Sequence, residues 1–134
     1  MPAIQRMMVA PPAELDVGVG TLEAFENARR YNGWIRERIQ ETIGRRVLEV
    51  GSGIGNIISE ILSCPNVESV VATDLSAASL ATLRDRLGHD ERLSTEVWDA
   101  SKPAPPTLAP GSFDTVICSN VLEHIEHHVQ AAAQ

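Results

Sequence analysis

The chain has 134 residues, enough for one ordinary domain and too few for two. Apolar residues make up 43% and charged residues 22%, a globular composition that excludes a disordered chain. Lys and Arg number 11 against 18 Asp and Glu, a formal charge of −7, the reverse of the basic surplus that phosphate contacts demand, so nucleic acid is not expected as a partner.

Residues 1–20 hold three prolines and three alanines, with Gly18 and Gly20 near the end, and are expected to form a flexible leader to a domain over 21–134. The first six, Met1-Pro2-Ala3-Ile4-Gln5-Arg6, lack the charged, apolar, small order of a signal peptide. No window approaches the ~18 apolar residues of a membrane span. Cys64 and Cys118 sit in no CxxC and are too few to staple a scaffold, so the expected compartment is the cytoplasm, with both thiols reduced.

Thr21 reads as the N-cap of a long helix in which Leu22, Phe25, Ala28, Tyr31 or Asn32, Ile35, Ile39 and Ile43 make one apolar stripe. Gly44 falls where a left-handed C-terminal cap is wanted, and Gly33 marks either a kink or a close approach. The period then changes. Val47–Val50 is a short apolar run stopped by glycines, as in a buried parallel strand. A helix over 56–62, a strand over 67–73, a helix from its Ser76 cap to Leu87, and a strand over 93–98 follow. Residues 101–112, with four prolines, make a loop before a strand over 113–118. Asn120 and Glu123 resemble a capping box for a last helix. Strands alternating with helices define an α/β fold with a parallel sheet.

Glu49-Val50-Gly51-Ser52-Gly53-Ile54-Gly55-Asn56 places three alternate glycines between a buried strand and a helix. Glycine lets a ligand touch the main chain, and this turn lies at the carboxyl ends of the strands, where such sheets bind ligands. A tight turn without a ligand is the competing reading. The dinucleotide fingerprint fails because Asn56 stands at its third glycine, and no Gly-Lys-Ser/Thr is present. Glu49 opposes a pyrophosphate and favours a cationic ligand. Asp74 closes the next strand, where it either accepts two ribose hydroxyls or serves the helix N-terminus. Leu75 offers a face to an adenine, and Asp99, in Trp98-Asp99-Ala100, either accepts its exocyclic amine or belongs to a turn.

These segments, with Phe113-Asp114-Thr115-Val116-Ile117-Cys118-Ser119-Asn120-Val121-Leu122-Glu123-His124-Ile125, resemble the four ordered motifs of class I S-adenosylmethionine-dependent methyltransferases over about residues 30–130. The resemblance implies a Rossmann-like, doubly wound parallel sheet, limited to strands one to four of the usual seven in the order 3-2-1-4, preceded by a helix. It implies that Glu49 and the Gly51–Gly55 turn, with Gly51, Ser52, Gly53 and Gly55, flank the methionine moiety, that Asn56 also belongs to the cofactor site, that Asp74 holds the ribose, and that Leu75, Asp99 and Ala100 receive the adenine. Asn120 would lie beside the sulfonium.

Methyl transfer from a sulfonium needs chiefly alignment, with a base where the acceptor is a hydroxyl or ammonium. His124 is the nearby candidate base, and packing or solvent exposure on a helix is its plainer reading. His124, His127 and His128 share a helical side, but no carboxylate or cysteine completes a ligand set, and no metal is expected. Ser119-Asn120-Val121-Leu122 is not the motif of base-directed amino-methylases, which leaves a small-molecule, lipid, sugar or protein acceptor. Strands five to seven would follow residue 134, so the resemblance implies the N-terminal, cofactor-binding part of a methyltransferase, with S-adenosylhomocysteine as product. The fourth strand would then be an exposed apolar edge inviting self-association. A non-catalytic binding or interaction module of the same fold is the alternative.

Overall fold

The computed structural model describes residues 6–9 and 22–118. Its elements are β1 (Arg6–Val9), α1 (Leu22–Thr42), β2 (Arg46–Val50), α2 (Asn56–Leu62), β3 (Ser69–Asp74), α3 (Ala77–Leu87), β4 (Leu93–Val97), a single 3-10 turn at Pro106–Leu108, and β5 (Thr115–Cys118). All five strands are parallel and lie in the order β1-β5-β2-β3-β4. The four strands expected from the sequence therefore stand in the 3-2-1-4 order, with β2 central between β3 and β5.

Side chains alternate across a strand, and that period sorts the core into two faces. Val47, Val70, Ala72 and Ile117 pack on one face with Ile35, Ile39 and Ile43 of α1, Ile58 and Ile61 of α2, and Leu80 and Leu83 of α3. The α1 stripe is thus the seam read from its apolar spacing. On the other face, Leu48, Val50 and Cys118 pack with Leu108 and Phe113 from the proline-rich connection. Among the described residues all three α-helices cover the first face. The helix expected after β5, with Asn120 and His124, lies outside the described residues.

The amino ends of β2 and β5 are pinned together. Asp114 takes the Arg46 main-chain N–H at 2.9 Å and the Arg46 guanidinium at 3.0 Å. Its carboxyl is held below the usual range, chiefly by the Arg46 side chain. Ser76 caps α3, accepting from the Ser79 N–H at 3.1 Å, as the sequence suggested.

Three expectations change. Residues 6–9, expected within a flexible leader, form β1 and pair with β5 in parallel from Arg6 opposite Thr115 to Val9 opposite Cys118. The edge of the fourth expected strand is therefore covered. Met7-Met8-Val9 is too short a run to show a strand period, and the prolines on either side of it signal loop. Gly44 is not a left-handed cap: the described glycines with positive φ are Gly51, Gly53, Gly55 and Gly111. A Cβ at Gly44 would meet the Asp114 Cβ at 2.6 Å, so closeness to the start of β5 demands glycine. At Gly33 nothing lies within 4 Å of a built Cβ, so no close approach occurs there.

Candidate functional site

Three chain turns meet at the carboxyl edge of the sheet. The loop after β2 is the most ordered by the main chain. The Gly51 and Ser52 N–H groups both donate to the Thr73 carbonyl at 2.9 Å, and the Gly55 N–H donates to the Ser52 carbonyl at 3.0 Å. Gly51, Gly53 and Gly55 adopt φ of 76°, 55° and 93°, values that L side chains rarely take. Their purposes differ. A Cβ at Gly55 would press on Leu83 and Leu87 of α3, whereas nothing lies within 4 Å of one built at Gly53. Gly55 is therefore glycine for packing as well as for φ, and Gly53 presents bare main chain to open space.

Asp74 organises both sides of this edge. Its Oδ2 accepts from the Gly53 N–H at 2.8 Å, and its Oδ1 accepts from the Ser76 N–H at 2.8 Å. The helix-start reading of Asp74 holds, and the same carboxylate also fixes the glycine loop. Each carboxylate oxygen keeps a second lone pair for a ligand. The Trp98 N–H donates to the Asp74 carbonyl at 3.0 Å, which extends the β3–β4 pairing to the residue before Asp99. Asp99 Oδ1 takes the Ser101 N–H at 2.9 Å and the Ser101 hydroxyl at 2.6 Å, and these bonds hold its pKa below the usual carboxylate value. Its Oδ2 takes no hydrogen bond from a described residue.

Glu49 lies under this edge, 1% exposed, on the helix-covered face of β2. Burial, with a smaller push from the Asp74 charge, raises its pKa to about 8. Its Oε2 has no hydrogen-bond partner among the described residues, and neither do the buried Ser52 Oγ and Tyr31 hydroxyl. Buried polar atoms normally find partners, so Glu49 and Ser52, and Tyr31 on α1 within reach of the Glu49 charge, are positions where a ligand could bring donors and acceptors. Burial, with a smaller push from the Glu49 charge, raises the pKa of Tyr31. Tyr31 and Trp34 pack against the core, their rings stacked at 6.3 Å, while the Tyr31 hydroxyl has no partner among the described residues.

Leu75 is 69% exposed, and Val97 and Ile54 are also exposed, all three at this edge of the sheet. Together they form an apolar border that a planar ring can cover. Ala100 packs against the Leu48 face of the core and so places the Asp99 turn. Asn56 is turned the other way: its Oδ1 accepts from Arg86 of α3, which also bonds the Ile54 carbonyl at 2.6 Å. The structure thus brings Glu49, the Gly51–Gly55 turn, Ser52, Asp74, Leu75, Asp99 and Ala100 to one edge and occupies the Asn56 side chain elsewhere. Asn120 and His124 fall outside the described residues. Tyr31, Ile54 and Val97 are the site features the sequence did not assign. Tyr31 alone gave a signal, as the one tyrosine of the chain, on the apolar stripe.

The fold is that of an open parallel α/β protein, and the carboxyl ends of its strands, where such sheets bind ligands, carry the candidate site. Residues 48–134 match the methyltransferase-domain family, and the chain belongs to that family. Among curated relatives, the ubiquinone biosynthesis O-methyltransferase of Bordetella bronchiseptica is 33% identical over 93 residues, which is 69% of this chain and 37% of that protein. The same-named protein of Azotobacter vinelandii is 37% identical over 102 residues, 74% of this chain and 40% of its own length. A solved S-adenosylmethionine dependent methyltransferase from Mesorhizobium loti superposes with a TM-score of 0.63 at 26% identity, covering 74% of this chain and 43% of its own. The chain therefore spans well under half the length of these relatives.

Proposed function

We propose that this chain supplies the cofactor-binding part of an S-adenosylmethionine-dependent methyltransferase that acts on a small-molecule, lipid, sugar or protein acceptor. The observation that carries the reading is the set of buried polar atoms without a partner among the described residues, Glu49 Oε2, Ser52 Oγ and, on α1, Tyr31 OH, beside a glycine turn held by Asp74 and followed along the sheet edge by Asp99. Their chemistry fits this cofactor: an acidic group for its cationic end, hydroxyls for its amino-acid end, carboxylate lone pairs for a ribose, and an apolar border for a purine.

S-adenosylmethionine bound at this edge supplies an electrophilic methyl group on a sulfonium. The chain's own task is then to bind and orient. Glu49 offers negative charge where water is excluded, and the main chain at Gly53 lies close because no side chain intervenes. Asp74 couples ribose recognition to loop shape, since the same carboxylate holds the Gly53 N–H. Leu75 and the Asp99–Ala100 turn receive the purine. Asn120 is assigned beside the sulfonium, Asn56 to the methionine end through its main chain, and His124 to the acceptor's proton. The cytoplasm is the proposed compartment, and among the described residues no helix is long and apolar enough to cross a membrane.

Calorimetric titration with S-adenosylmethionine and S-adenosylhomocysteine, with NAD as control, tests the reading. Binding of the first two and not NAD is the expected result. NAD binding with no response to the other two would overturn it.

A further inference from the structure

We propose that Glu49 is a neutral carboxylic acid in the ligand-free fold and gives up its proton as a cationic ligand docks beside it, so that binding at this edge is coupled to proton release. This rests on the function proposed above and adds to it the regulation of that site by pH.

The geometry is that of an unpaired acid. Glu49 is fully buried on β2, between Ala72 of β3 and Ile117 of β5, and no Lys, Arg or His among the described residues is bonded to it. Among the described residues, the titratable groups on the elements packed with β2 disfavour its charge or are engaged elsewhere. Tyr31 of α1 is a weak acid, and Asp74 at the end of β3 carries like charge. Glu60 of α2 is engaged by Arg36 at 2.5 Å. Ser52 in the loop brings one orphaned hydroxyl. An isolated buried carboxylate is costly, and the group escapes the cost by holding its proton.

A docking ammonium or sulfonium changes the balance. The positive charge favours the carboxylate, the O–H bond of the acid breaks, and the proton passes to the buffer. With burial placing the group near 8, the acid is about 90% protonated at pH 7. A ligand α-amino group, with a pKa of about 7.8, takes up only ~0.1–0.2 proton at that pH if it binds as an ammonium. Net release is therefore about 0.8 proton, and affinity rises about eightfold between pH 6 and pH 7.

The test is calorimetric titration of the 134-residue chain with S-adenosylmethionine at pH 7 in phosphate and in Tris, whose ionisation enthalpies differ. Release of about 0.8 proton, lost in Glu49→Gln along with the pH dependence between 6 and 7, is the expected outcome. Binding with no release, or with slight uptake, overturns the proposal and leaves the cofactor assignment standing. No binding of S-adenosylmethionine at any pH overturns both. Should Glu49→Gln fail to fold, the wild-type proton count decides, supported by a carboxyl-carbon titration of the ligand-free chain. That titration is expected to show one glutamate ionising near pH 8, and ionisation of every glutamate below pH 6 would overturn the proposal.

Discussion

Replacing Asp74 by alanine separates the structural duty of that residue from its ligand duty. Two main-chain N–H groups, of Gly53 and Ser76, lose a charged acceptor at 2.8 Å each. Hydrogen bonds to charged groups are worth ~1.5–3 kcal/mol, but Ser76 is exposed and water replaces much of its bond, so the net cost is about 2 kcal/mol. For a domain of this size that lowers the melting temperature by about 6–10 °C. Binding loses the same order again for two ribose hydroxyls, ~3 kcal/mol, or about a hundredfold in affinity for S-adenosylhomocysteine. Asp74→Asn keeps one acceptor oxygen and should fall between the two in both measurements. Thermal melting and calorimetric titration of the three proteins provide the readings. If Asp74→Ala melted lower yet bound S-adenosylhomocysteine as tightly as the parent, Asp74 would be a loop clamp alone and the ribose assignment would be wrong.

Gly44→Ala should destabilise by about 1–3 kcal/mol, because its Cβ must displace Asp114 at 2.6 Å, while Gly33→Ala, mid-helix in open space, should stabilise by ~0.5–1 kcal/mol; denaturant unfolding of the pair reads both signs. The Arg92 guanidinium holds Asp90 at about 2 in the fold, below its unfolded value of about 3.9. That stability is complete above the unfolded pKa and is lost as pH falls through about 2, so Asp90→Asn should flatten the melting temperature between pH 4 and pH 2. A steeper profile in the variant would contradict this. Glu49 has the opposite sign: its raised pKa costs stability as pH climbs from about 4.5 through about 8, so Glu49→Gln should melt higher than the parent at pH 8 while binding more weakly. Removal of residues 1–9 should uncover the β5 edge and produce concentration-dependent association in sedimentation, whereas a monomer at all concentrations would show that β1 does not guard that edge.

What could be read from the sequence was what local chemistry controls. The apolar steps of α1, the Ser76 cap and the β2 run each carry their own period or cap, and the structure has them within two residues of the expected ends. The parallel order followed from alternation of element types. What escaped depended on contacts between distant parts of the chain. β1 pairs with β5, more than a hundred residues away, and nothing in Met7-Met8-Val9 announces that partner. Gly44 was assigned to its own helix because a cap is a local motif, whereas the cause is Asp114 across the fold. At the site, residue types pointed to Glu49, Asp74 and Asp99, but not to the orphaned Tyr31 hydroxyl or the turning of Asn56 toward Arg86. Side-chain direction is set by packing, and packing is not written in spacing.

The central claim is that the carboxyl ends of β2, β3 and β4 form one cofactor site. Amide chemical-shift mapping of the isotope-labelled chain with S-adenosylhomocysteine tests it most directly. Saturable shifts are expected at 49–56, 74–75 and 97–101 and around Tyr31 and Asn120, with β1 and the ends of α1 unmoved. Saturable binding that shifts other surfaces and leaves Gly53, Asp74 and Asp99 in place would contradict it.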